Sequence, residues 1–226
     1  KVLKKSIMSK ISSSESYVIW EEIIGKARLE DGREPLFRGY FEATIFAFEN
    51  LRQGLSAKLA KELAGSGLEE SALKNIIAES EHNERLVSDA AADIKATLDR
   101  DSACNSPLEV FLFYKGFAAL QSHRLANHLW LKGQKLLALL IQSHVSNCFG
   151  IDIHPAAKIG RGIMLDHATG LVIGETAIVG DAVSIMQSVT LGGTGKESGD
   201  RHPKIGCGVL IGPGAKILGN ISVGTG

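Results

Sequence analysis

From Ile153 onward an apolar or small side chain returns every six residues. Ile153, Ile159, Leu165, Leu171, Ala177, Val183 and Val189 form one series, and Ile205, Ile211, Ile217 and Val223 form a second. Neither the 3.6-residue period of a helix nor the two-residue period of a strand produces this spacing. It fits a parallel β-solenoid with three short flat faces per turn, in which three hexads bring the chain back to the same corner one layer up. The regularity of the hexads points to the left-handed hexapeptide helix, an exception to the right-handed crossover rule. Residue usage divides at the same place. All 13 aromatic residues lie at or before Phe149, whereas 17 of the 25 glycines lie at or after Gly150. The large side chains of Phe, Tyr and Trp do not fit at tight solenoid corners. The expected fold is therefore α+β, an all-α domain over residues 1–149 followed by a left-handed parallel β-helix over 150–226.

Between the two series the register slips, because Val189 and Ile205 stand sixteen positions apart, two short of three hexads. The glycine-rich and charged stretch at about 193–204, from Gly193-Thr194-Gly195-Lys196-Glu197 to Asp200-Arg201-His202-Pro203, predicts a loop extruded from the coil. The front of the chain reads differently. Leu51, Leu55, Leu59 and Leu63 make one apolar stripe at helical spacing, and Leu86, Ala90, Ile94 and Leu98 make another. Ser106-Pro107-Leu108-Glu109 combines a cap hydroxyl, a first-turn proline and a capping-box glutamate, so a helix is predicted to begin there. From Leu108 to about Cys148 a pair of helices is expected, broken near Gly116 or Gly133.

Charge excludes several partners. The chain of 226 residues has 25 basic and 25 acidic side chains, divided 19 and 19 before position 150 and six and six after it. Neither half has the basic footprint that nucleic acid requires. The longest charge-free stretch, Leu136 to Ile151, is too short and too polar to span a bilayer, and no signal-peptide core follows the basic start. Cys104, Cys148 and Cys207 are odd in number, far apart and without a CxxC. They indicate neither a disulfide framework nor a thiolate zinc site, and suit a reducing cytoplasm.

Polar residues stand out in a solenoid that asks for small or apolar ones. Asp152 and His154 enter it, Asp166-His167 follows Leu165, and Arg201-His202 rides on the loop. Neighbours on a strand point to opposite faces, so Asp166 is poorly placed to orient His167. Asp152, fifteen residues earlier and close to one coil below, is the better candidate, within one chain or across a subunit boundary. Such a set suits proton abstraction from a hydroxyl. Imidazole, with a reference pKa of about 6.5, is largely free base at neutral pH, and a carboxylate fixes its tautomer and stabilises the imidazolium. Cys207 has no histidine beside it and no GxSxG is present, which disfavours covalent catalysis. Gly192-Gly193-Thr194-Gly195 lacks the GK[ST] and helix start of a phosphate loop.

Three strings together, Asp152-Ile153-His154-Pro155-Ala156-Ala157-Lys158-Ile159-Gly160, Leu165-Asp166-His167-Ala168-Thr169-Gly170, and Gln187 to Lys196 continued by Asp200-Arg201-His202-Pro203-Lys204, resemble the serine O-acetyltransferase family. Hexads alone would indicate only hexapeptide acyltransferases, whereas the loop and the Asp-His string are particular to the serine enzymes, and the helical front fits their amino-terminal domain. The resemblance implies acetyl transfer from acetyl-CoA to L-serine, with no metal, as a step of cysteine synthesis. By position, His167 matches the general base and Asp152 its partner. Asp166 and Asp101 match carboxylates at the substrate ammonium, and Arg201 and His202 match the groups at its carboxylate. Gly193 and Thr194 match the CoA groove. Pro213 stands beside that groove where alanine is expected and has no N–H to donate.

The resemblance further implies L-cysteine as feedback inhibitor at the serine site, and a homotrimer or dimer of trimers. A cysteine synthase complex is expected of the full-length form only, because the chain begins with Lys1 and stops at Gly226 in mid-repeat. Three other readings compete. One is an acyltransferase with another hydroxyl or amine acceptor. The second is a carbonic-anhydrase-like zinc enzyme using His154, His167 and His202, and the third is a scaffold without catalysis.

Overall fold

The computed structural model describes residues 2–65, 68–78, 83–196 and 198–226, so Glu197 of the expected loop lies outside the described residues. Helix α1 (Val2–Arg33) leads through a short turn, α2 (Arg38–Phe41) and one π-turn at Glu42–Phe46 into α3 (Leu51–Leu63). Next come α4 (Glu70–Ala78), α5 (Asn83–Arg100), α6 (Pro107–Phe113), α7 (Lys115–Leu131) and α8 (Lys135–Phe149). The Leu51, Leu55, Leu59 and Leu63 stripe is buried along its whole length, and Ala90 and Ile94 are buried on α5 with Leu86 and Leu98 half-buried. Trp20 fills the middle of this bundle, edge-on to Phe111 with ring centroids 5.5 Å apart. It fits because Gly54 has no side chain; a Cβ there would run into the indole. No helix of the described residues is long and apolar enough to cross a membrane.

The capping box forms. Ser106 Oγ accepts from the Glu109 N–H at 3.4 Å and donates to Glu109 Oε1 at 3.0 Å, while Glu109 Oε2 accepts from the Asn105 N–H at 3.3 Å. Beyond it, however, stand three helices where a pair was expected. The chain breaks twice, at the extended backbone of Tyr114 (φ −84°, ψ 103°) and at Gly133, which takes φ +84°. Gly116 lies inside α7 and serves packing, because a Cβ there would collide with the carbonyl oxygen of Leu165.

The remaining chain winds into three parallel sheets around one core, consistent with a β-helix. Strands β1 (Ile151–Ile153), β4 (Leu171–Ile173), β7 (Thr190–Gly192) and β10 (Lys216–Leu218) form one face. The second face holds β2 (Lys158–Ile159), β5 (Ile178–Val179), β8 (Lys204–Ile205) and β11 (Ser222–Val223), and the third β3 (Met164–Leu165), β6 (Ser184–Ile185) and β9 (Leu210–Ile211). Regular coils repeat every 18 residues, as in Val172 beside Thr190 and Lys204 beside Ser222.

Two coils are longer. Leu165 pairs with Ile185 twenty residues on, and Val179 with Ile205 twenty-six residues on. The first insertion adds two residues at the corner after β3, and the second adds eight at the loop after β7. The six-residue series hides the first, because each hexad has two inward positions, such as Leu171 and Ile173, both buried. Leu165 belongs to one inward set and Leu171 to the other.

Helices α5 and α7 clamp onto the corner after β2. Arg124 Nη2 donates to Asp93 Oδ2 at 2.8 Å and to the Gly160 carbonyl at 2.8 Å, and its Nε reaches Asp93 Oδ2 at 3.1 Å. Asp93 Oδ1 accepts from the Ile163 N–H at 2.8 Å, and Oδ2 also accepts from Gln121 Nε2 at 2.9 Å. Both charges are buried. Without Asp93 the buried Arg124 keeps only one carboxylate, Asp89, with Oδ2 3.5 Å from its Nη1, and the Ile163 N–H and Gln121 amide lose their acceptor, so Asp93→Ala is expected to lose about 3 kcal/mol in urea unfolding.

His123 of α7 is fully buried nearby, and burial, reinforced by Arg124, pushes its imidazole down to about 3. Its unfolded value is about 6.5, so the unfolded chain binds the extra proton between those limits and stability falls as pH drops through that window. Urea titrations at pH 7 and pH 4.5 are expected to show this decline, and His123→Gln to make it shallower.

Candidate active site

The inserted corner after β3 carries Asp166, His167, Ala168, Thr169 and Gly170. His167 and Ala168 hold φ of 52° and 57°, a left-handed conformation that costs non-glycine residues energy. Ala168 turns fully inward. His167 is thrown outward, its side chain 78% exposed, with Nε2 3.8 Å from Asp166 Oδ1; the two residues lie at a bend and not on a strand, so the expectation that they point to opposite faces does not hold here. The corner above is Ser188, whose N–H donates to the Thr169 carbonyl at 2.8 Å, and above that Gly214 donates to Gln187 at 2.9 Å. Pro213 is exposed on this same column of corners.

Opposite this corner lies the helical domain. Between them opens a cleft of about 550 Å³ whose walls include Asp101, Tyr114, Leu165, Asp166, His167 and Thr169. Asp101 directly follows the last turn of α5. Its Oδ1 accepts from the Ala103 N–H at 2.9 Å and its Oδ2 from the Tyr114 hydroxyl at 3.1 Å. Gly116 lets α7 approach the Leu165 backbone, and Lys115 Nζ donates to Thr169 Oγ1. The arrangement offers an accessible imidazole beside two carboxylates, which is a place for a cationic group next to a group that loses a proton.

The corner after β1, β4 and β7 gathers a second set. Arg201 Nη2 donates to Glu175 Oε2 at 2.7 Å, and that guanidinium holds the Glu175 carboxyl below the usual range. Thr176 clamps the loop. Its Oγ1 accepts from the Arg201 and His202 N–H groups at 3.0 and 3.1 Å and lies 2.8 Å from His202 Nδ1, which also accepts from the Thr176 N–H at 3.2 Å. With Nδ1 receiving donors, Nε2 carries the ring proton. Burial first, and the neighbouring Arg201 next, lower the His202 pKa, so the ring is neutral and donates from Nε2.

Lys204 Nζ pins the loop to the Thr176 carbonyl at 2.9 Å and the His202 carbonyl at 2.6 Å. Gly193 sits beside Arg201, with a Cβ built there 3.5 Å from the arginine Cγ, and exposed Thr194 stacks under Gly219. His154 lies edge-on to Trp130, and its imidazole is lowered by burial against the opposing charges of Glu175 and Asp152.

Within one chain the sequence-predicted residues thus fall into two groups. Asp101, Asp166 and His167 share the cleft. Arg201, His202, Gly193 and Thr194 share the other corner. Asp152 lies on β1, its Oδ1 accepting from Gln142 Nε2 of α8 at 2.6 Å. The three-residue strand β4 that links the corners spans about 10 Å, too far for one amino acid to touch both. His154 and His202 belong to the second group and His167 to the first, and no cluster of three or more His, Cys, Asp or Glu suited to a metal occurs among the described residues. Tyr114, Gln142, Glu175 and Thr176 were not found from sequence. Glu175 alone had a usable signal, as one of only six acidic residues after position 150.

A helical bundle seamed to a coil of hexads, with an exposed histidine and carboxylates at the seam, is the build of a hexapeptide-repeat acyltransferase. Residues 19–122 match the family model "Serine acetyltransferase, N-terminal". The chain is 50% identical to the serine acetyltransferase of Salmonella typhimurium over 92% of its own length and 77% of that protein's. A solved serine acetyltransferase in complex with cysteine is 48% identical with a TM-score of 0.89, covering 92% of this chain and 86% of that one. The Brucella abortus serine acetyltransferase in complex with coenzyme A is 46% identical with a TM-score of 0.88, covering 91% and 82%. The chain belongs to the serine acetyltransferase family and is an enzyme of that type.

A Cβ at Gly174 would occupy the space of the His202 imidazole. Gly174→Ala is therefore expected to displace that ring and to lower kcat/KM for the amino-acid substrate by about 10- to 100-fold, the cost of a misplacement of about 1 Å, with the melting temperature little changed.

Proposed function

We propose that this chain transfers the acetyl group of acetyl-CoA to the hydroxyl of L-serine, giving O-acetyl-L-serine and CoA for cysteine synthesis. The observation that carries the reading is the convergence of Asp101, Asp166 and His167 in the seam cleft. His167 takes the proton from the serine Oγ as that oxygen attacks the thioester carbonyl. The tetrahedral adduct collapses, the carbon–sulfur bond breaks, and the proton passes from the imidazolium to the departing CoA sulfur. Asp101 and Asp166 hold the ammonium, while Arg201 and neutral His202 hold the carboxylate. Asp152 orients the imidazole, and Gly193, Thr194 and Pro213 border the CoA groove. Hexads of this regularity run left-handed, with a helical domain over 1–149 and the β-helix over 150–226.

Because the two groups stand at different corners, the site is completed between chains. In a threefold ring each chain offers its His167 corner to the Arg201 corner of the next, and the helical domains join two rings into a hexamer. L-Cysteine, which differs from L-serine by one atom, occupies the same subsites as feedback inhibitor. The three free thiols suit the cytoplasm.

A thiol-release assay with acetyl-CoA and a panel of amino acids tests the reading. L-Serine is expected to be the preferred acceptor; faster turnover of another hydroxyl or amine would give the enzyme to a sibling chemistry. His167→Asn should lower kcat by about two to four decades, the span of general base catalysis. Arg201→Ala should raise the serine KM and weaken cysteine inhibition together. Full activity after dialysis against a chelator is expected, and its loss would favour the zinc reading.

A further inference from the structure

A carboxylate at the mouth of an open cleft ordinarily turns about its last torsion. Asp101 does not have that freedom, because each of its oxygens is engaged, one by the Ala103 N–H and one by the Tyr114 hydroxyl. The first partner is two residues away and comes with the turn that ends α5. The second arrives from thirteen residues on, across the seam between helices. Tyr114 is the single extended residue between α6 and α7, so its ring leaves the helical direction and enters the cleft wall beside Asp101.

The joint that carries this ring is itself held on both sides. The Tyr114 N–H donates to Val110 at 3.4 Å, its carbonyl accepts from the Ala118 N–H at 3.2 Å, and Gly116 abuts Leu165. Burial, then the neighbouring Cys104 and Asp101, raise the phenol above its ordinary value, so it keeps its proton and remains a donor at neutral pH. An ionised carboxylate has two acceptor sites on each oxygen. The two protein donors take one from each, which leaves one per oxygen for a ligand.

We propose that Tyr114 is a positioning residue: its hydroxyl holds the Asp101 carboxylate in the orientation that receives the substrate ammonium. It thereby sets affinity for α-amino acids without touching the reacting atoms. The proposal rests on the reading of Asp101 given above.

Tyr114→Phe removes one oxygen and keeps the ring. The KM for L-serine and the calorimetric Kd for L-cysteine are expected to rise in parallel by about three- to tenfold, as for loss of one hydrogen bond, with kcat and the acetyl-CoA KM within about twofold of the parent. Added to Asp101→Asn, Tyr114→Phe should produce no further loss, because it acts through that carboxylate. Asp101→Asn alone separates the two ideas. If it leaves serine and cysteine affinity at the parental level, Asp101 does not hold the ammonium and the assignment of Tyr114 falls with it.

If Asp101→Asn weakens both ligands and Tyr114→Phe weakens neither, Asp101 keeps its role and that of Tyr114 is overturned. Losses that add in the double variant, or a fall in melting temperature with equal damage to the acetyl-CoA KM, would make the hydroxyl a packing element only. Calorimetry with L-cysteine reads the pocket without requiring turnover.

Discussion

Asp93 of α5 ties the helical bundle to the β-helix from inside the seam, accepting from both bodies at once. A buried carboxylate is costly unless donors surround it. Here the donors come from both bodies, the Arg124 guanidinium and Gln121 amide from α7 and the Ile163 N–H from the coil. Arg124 also reaches the Gly160 carbonyl, so the ion pair is bonded to the solenoid through each partner. Arg100 repeats the arrangement one element further along, donating to the Gly162 carbonyl at 2.9 Å and to Ser184 Oγ at 3.1 Å. Asp101 is the next residue. Arg100 thus fastens the end of α5 to the coil immediately before Asp101 enters the cleft wall that it shares with His167.

The solenoid divides labour by direction. Inward positions such as Ile153, Leu171, Val183 and Leu191 are buried and carry the hydrophobic stabilisation, at about 25 cal/mol for each Å² removed from water. Outward corner residues have no such duty. At the corner after β3 the backbone accepts two successive left-handed residues, and the ladder on either side holds them there. At the corner after β4 the work is done by hydrogen bonds, with Thr176 and Lys204 fastening a loop that has little apolar content of its own.

Much of this was legible in the sequence. The six-residue period, the absence of Phe, Tyr and Trp after Phe149 and the capping box at Ser106 each rest on local chemistry that needs no tertiary context. The three strings around Asp152, His167 and Arg201 pointed to the family. What was hidden depends on stacking. The two-residue insertion before Leu171 left the count of six intact, because one inward set hands over to the other. Asp152 therefore pairs with Val172, twenty positions on, and bonds to Gln142. Gly116 read as a helix breaker, yet what excludes a side chain there is the Leu165 backbone. Tyr114 was not singled out, since nothing local announces the carboxylate it meets.

Both lengthened corners leave the ladder intact. Val172 still lies beside Thr190, and Lys204 still lies beside Ser222, although two residues have been added below and eight between. A chain built this way can lengthen a corner, trade its side chains or strain its backbone without renegotiating the interior. Folding and chemistry are in that sense inherited separately. The coil supplies a fixed address for each corner, and what is written there can change without moving the house.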